Sequence, residues 1–76
     1  MEITTNANDM FYQLRIRGAV DQEFLSSYCP PGTGACQEGN TTLLTDLHMD
    51  QSGILGLVRQ LHNLGLVILE LKVMTP

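Results

Sequence analysis

Basic residues are scarce in this chain. Lysine and arginine together number four against eight aspartates and glutamates, a net charge of −4 over 76 residues. Binding phosphates requires a basic face that displaces counterions, so nucleic acid is excluded as an expected partner. Long apolar runs are also missing: nothing approaches the roughly 20 residues of a membrane-spanning helix, and no membrane partner is expected. Met1 to Asp9 has neither the basic start nor the apolar centre of a secretory signal, which makes a cytoplasmic location the default expectation. Tryptophan is absent, and no catalytic or cofactor motif stands out.

What is present describes a small folded domain. A hydrophobic fraction of 43% with 16% charged residues fits a globular chain rather than a disordered one. At this size a core buries only about 60% of the unfolded surface, so stability needs an addition, of which oligomerisation is the simplest. Residues 1–9 read as a frayed tail and residues 10–74 as one domain.

The most legible unit spans residues 50 to 73. At about 100° per residue, Ile54, Leu57, Val58, Leu61 and Leu64 gather on one side of a helix, while Ser52, Arg59, Gln60 and Asn63 fall opposite. Asp50 is the expected N-cap and Gly65 the expected stop. Residues 66–73 then alternate as a strand, with Val67, Leu69, Leu71 and Val73 expected against the core and Leu66, Ile68, Glu70 and Lys72 on the other face. Val58 and Leu61 are expected to pack on Leu69 and Leu71.

Earlier in the chain, Tyr12, Leu14, Ile16, Gly18 and Val20 alternate with Phe11, Gln13, Arg15, Arg17 and Ala19, predicting a half-buried strand from Met10 to Val20. Asp21 caps a short helix over 22–28, which Pro30 and Pro31 end. A brief strand over 35–38 and a return strand over 41–49 follow; Leu43, Thr45, Leu47 and Met49 are the inward set preferred for the latter. The resulting βαββαβ order predicts a ferredoxin-like α+β fold, with a four-stranded antiparallel sheet carrying both helices on one face.

L-R-I-R-G at Leu14 to Gly18, T-T-L-L-T around Thr42, D-Q-x-x-x-L-G at Asp50, Gln51, Leu55 and Gly56, and L-G-L-x-I-L-x-L from Leu64 to Leu71 together resemble a group of short, uncharacterised bacterial proteins. The resemblance covers most of residues 12–73 and implies the same strand, loop and helix-strand layout, with no established activity or cofactor. This chain has Phe24 and Tyr28 where that group often has tryptophan, and it adds Cys29 and Cys36.

The candidate sites are few. Cys29, Cys36, His48 and His62 make up a zinc ligand inventory, but their spacing matches no finger or redox motif, and two free thiols with boundary histidines are the preferred reading over a zinc site or a disulfide. Gly32 and Gly34 lack the lysine and following helix of a phosphate loop. No cofactor is expected. On the helix-free face of the sheet, Phe11, Arg15, Arg17, Leu66, Ile68 and Lys72 form a candidate binding patch, with a solvated, charge-paired face as the simpler alternative. Gly53 and Gly56 offer a second candidate contact, because small residues on a helix admit another backbone.

The leading expectation is a non-enzymatic interaction or regulatory module acting as a homo-oligomer, most simply a two-fold dimer. The alternatives are a small-ligand sensor with its site between protomers, or a small dimeric enzyme using His48 or His62.

Overall fold

A computed structural model of the chain describes residues 9–74. All but Asp9 of the tail expected over residues 1–9 lies outside the described residues. The elements follow the expected order: β1 (Met10–Arg17), α1 (Gln22–Tyr28), β2 (Gly34–Glu38), β3 (Thr41–Met49), α2 (Gln51–Asn63) and β4 (Val67–Met74). The strands form one antiparallel sheet in the order β2-β3-β1-β4. Read from the opposite edge this is β4-β1-β3-β2, and with two helices the α+β class is as expected.

Both helices start and stop where their caps dictate. The Asp21 carboxylate accepts from the Phe24 N–H at 2.9 Å, and the Asp50 carboxylate accepts from the Gly53 N–H at 2.7 Å. Gly53 is small for a local reason: a Cβ there would lie 3.1 Å from the capping Asp50 oxygen and 3.2 Å from the Met49 Cβ. At the other end Gly65 adopts φ +85°, its N–H donates to the His62 carbonyl, and the Leu66 N–H donates to the Leu61 carbonyl. That pair of bonds is the Schellman arrangement, and it turns the chain directly from α2 into β4.

The core lies between one face of the sheet and the helices. Tyr12, Leu14 and Ile16 of β1 and Leu44 and Leu47 of β3 are buried beneath Ile54, Leu57 and Leu61 of α2, while Phe24 and Leu25 of α1 pack against the same cluster. Both helices therefore cover a single face.

Two irregularities change which side chains enter that core. In β3 the expected inward set is Leu43, Thr45, Leu47 and Met49; Leu47 is buried and Met49 packs partly against the core as expected, but Thr42 and Leu44 take the buried places expected for Leu43 and Thr45. The register explains the change of phase, because Tyr12 faces Leu47 and Leu14 faces Leu44, so Gln13 stands opposite two residues, Thr45 and Asp46. Asp46 takes up the extra residue at φ +58°, a left-handed conformation that aspartate tolerates better than most side chains. The buried Thr42 hydroxyl is satisfied by donating to the Gly18 carbonyl at 2.6 Å.

A similar shift occurs between β1 and β4, where Arg15 faces Glu70 but Ile16 faces Ile68, leaving Leu69 as the extra residue. Leu66 and Ile68 therefore pack against the core, contrary to expectation. Leu71 and Val73 face Leu14 and Tyr12 and share their side of the sheet. They nevertheless stand 42% and 51% exposed, and Leu69 39%. The expected packing of Val58 and Leu61 on Leu69 and Leu71 is thus corrected: the buried stripe of α2 sits over the two central strands, and its cover stops short of the edge.

Leu61 is fully enclosed, so Leu61→Ala removes buried volume that so small a core cannot refill. Chemical denaturation should register a loss of about 2–5 kcal/mol; an unchanged midpoint would contradict this packing.

Candidate functional site

The surface divides into the helix-free face of the sheet and the β4 edge. On the helix-free face, Cys36 of β2, Leu43 of β3, Arg15 of β1 and Glu70 of β4 stand in register across all four strands. Arg15 donates to Glu38 at 3.0 Å and lies 3.9 Å from Glu70, whose other oxygen is 3.8 Å from the Lys72 ammonium. These charges are mutually compensated and exposed, so each pair contributes little to stability. Near the other end of β1, the Phe11 ring stacks on the His48 imidazole with centroids 4.5 Å apart and planes 14° from parallel, and Asp9 lies 4.0 Å from the imidazole. His48 is thereby placed by an aromatic neighbour rather than by a nucleophile.

The sequence-predicted patch is consequently split. Phe11, Arg15, Arg17 and Lys72 do share the helix-free face, whereas Leu66 and Ile68 are on the opposite, helix-bearing one. Gly53 sits in the turn into α2, and its small size is already used by Met49 and Asp50. Gly56 lies exposed on α2, with open space where a Cβ would project.

Nor are the four metal-ligand candidates brought together. Cys29 caps the C-terminus of α1 and packs partly against the core, while Cys36 is exposed on the helix-free face; both are free thiols. His62 is exposed on α2. No group of three or more potential metal ligands clusters among the described residues. Two grooves flank α1. One, of about 460 Å³, lies between its N-terminus and β2 and is lined by Asp21, Leu25 and Gln37 among others; the second, of about 360 Å³, is bordered by the loop from Cys29 to Thr33. Asp21 is already engaged in capping, and both histidines lie elsewhere.

The β4 edge is different in character. Among the described residues, its place in the sheet leaves one side of its backbone without a strand neighbour. Among the described residues, five of the nine exposed large hydrophobic side chains belong to it: Val67, Leu69, Leu71, Val73 and Met74. Reading the sequence placed four of these, Val67, Leu69, Leu71 and Val73, in the core and so missed the feature. The available signal was one of geometry, since a single inward stripe of Ile54, Leu57 and Leu61 is too narrow to cover two central strands and an edge as well.

Residues 11–72 match the family model of a domain of unknown function, DUF8691. The chain belongs to this family. The match runs from the start of β1 almost to the end of β4 and so spans all four strands and both helices of this chain. No curated protein and no solved structure matches the chain. Among the described residues, no helix of this DUF8691 domain is long and apolar enough to cross a membrane.

The thiols provide a direct check on this arrangement. Burial pushes the Cys29 thiol above its ordinary pKa, which lowers its thiolate fraction at neutral pH, and the surrounding core also limits access. A maleimide or disulfide reagent should label Cys36 first and Cys29 at least about tenfold more slowly. Equal rates, followed by peptide mapping, would contradict the placement of Cys29.

Proposed function

We propose that this domain is a non-enzymatic interaction module that works as a homodimer. The observation that carries the reading is β4: an eight-residue edge strand with an open backbone edge and a run of exposed leucine, valine and methionine side chains. Natural sheets protect such edges with proline, clustered charge, short strands or a covering element. Here Glu70 and Lys72 are the only charged residues on the strand, and proline is absent from it.

Energetics point the same way. Among the described residues the core comprises eight buried hydrophobic side chains, a small number for a domain that must offset the ordering of its backbone. Covering apolar surface contributes about 25 cal/mol per Å², and at an edge strand each new backbone hydrogen bond is gained together with that burial. A second copy supplies both without any other component. Two-fold symmetry closes the assembly at two chains, so that the sticky edge is consumed rather than propagated.

Sedimentation equilibrium of the full chain at micromolar concentration tests the reading. The expected mass is twice the 8.4 kDa of one chain; a stably folded species at the single-chain mass would overturn it.

A further inference from the structure

We infer that β4 recognises β4 of a second copy in one defined register, antiparallel and centred on Leu71. This rests on the homodimer reading above and adds to it the residues that select the partner strand. When two identical strands pair antiparallel across a two-fold axis, one residue must stand opposite its own copy, and the choice of that residue fixes every other pair. β4 reads Val67-Ile68-Leu69-Glu70-Leu71-Lys72-Val73-Met74, which is apolar on either side of two opposite charges.

The possible centres differ sharply in chemistry. Centring on Glu70 sets two carboxylates face to face, and centring on Lys72 does the same with two ammonium groups. A centre at Leu69 puts Glu70 opposite the partner's Ile68 and Lys72 opposite the partner's Leu66; a centre at Val73 likewise leaves Lys72 facing an apolar side chain, the partner's Met74. Only the Leu71 centre places Glu70 opposite the partner's Lys72, and by symmetry does so twice, while Leu71 meets its own copy and Leu69 meets the partner's Val73. Opposite charges directly across a ladder stabilise it and like charges destabilise it.

The monomer geometry is compatible with this exchange. Glu70 and Lys72 are on the helix-free face, about half exposed, and lie 3.8 Å from each other. Within the chain Glu70 pairs with Lys72 at 3.8 Å and lies 3.9 Å from Arg15, longer than the 3.0 Å contact of Arg15 with Glu38; such exposed pairs contribute little, and the dimer exchanges the one Glu70–Lys72 pair for two across the strands. Leu71 and Val73 are exposed on the helix-bearing face and would be covered at the same time. The apolar side chains supply the attraction, and the two charges choose the register.

The test uses charge exchange in the full chain. Glu70→Lys alone sets lysine against the partner's lysine twice, and Lys72→Glu alone sets two glutamates together. Each variant by itself should dimerise roughly tenfold more weakly than the wild type. An equimolar mixture of the two, one isotopically labelled and followed by native mass spectrometry, should recover a mixed dimer of near wild-type affinity. If wild-type chains are dimeric but neither variant is weakened, or the mixture gains nothing, the register is wrong and the homodimer reading stands; monomeric wild-type chains overturn both. Should a charge variant fail to fold, cross-linking decides independently in a Cys29→Ser, Cys36→Ser background. Leu71→Cys should oxidise to a disulfide with its own copy, since facing residues bring Cα atoms to about 4.5–5.5 Å, and Val73→Cys should not. The reverse pattern overturns the proposal.

Discussion

The structure depends on how three residues of the central strand, Tyr12, Leu14 and Ile16, are enclosed. They are flanked by β3 and β4 in the sheet and covered by Ile54, Leu57 and Leu61 of one helix. Everything else is arranged so that this contact can form. Asp50 and Gly65 set the two ends of α2, Gly53 lets the chain enter the helix immediately after Met49, and the Schellman turn delivers β4 to the far side of β1 without a loop. A single helix has one narrow apolar stripe, and placing it over the centre of the sheet leaves the edge beyond it uncovered.

That partly uncovered edge is the main consequence of the packing for the surface of the domain. Leu71 and Val73 are on the core side of the sheet by register, yet the described residues leave them about half exposed. The helix-free face is far less distinctive, because Arg15, Glu38, Glu70 and Lys72 compensate one another and Phe11 and His48 are stacked together. In the proposed dimer two four-stranded sheets become one continuous sheet, and the exposed apolar side chains of β4 come to lie in its middle.

Much of this was legible from the amino-acid order. The caps at Asp21, Asp50 and Gly65 are local chemistry, and the alternation of Tyr12, Leu14 and Ile16 is a pure period of two, so elements, order and the face of β1 could be read directly. The faces of β3 and β4 could not. In each, one extra residue, at Thr45–Asp46 and at Leu69, reverses the alternation partway along the strand, and such a bulge is set by the pairing with β1 rather than by the strand's own sequence. This is why Leu66 and Ile68 were expected on the wrong side; Leu71 does lie on the expected side, and its exposure follows instead from the narrow apolar stripe of α2. Gly56 misled for a different reason: a helix glycine signals close packing only when a neighbour approaches, and among the described residues none does.

Amide hydrogen exchange along β4 measures the central claim most directly. Alternate backbone groups of this strand bond to β1, and the remainder point outward from the sheet. If a second copy supplies the missing neighbour, the outward amides between Leu69 and Val73 become protected as protein concentration is raised, while the inward set is protected throughout. Outward amides that exchange rapidly at every concentration, in a chain that is otherwise folded, would show that the edge remains open and would contradict the account.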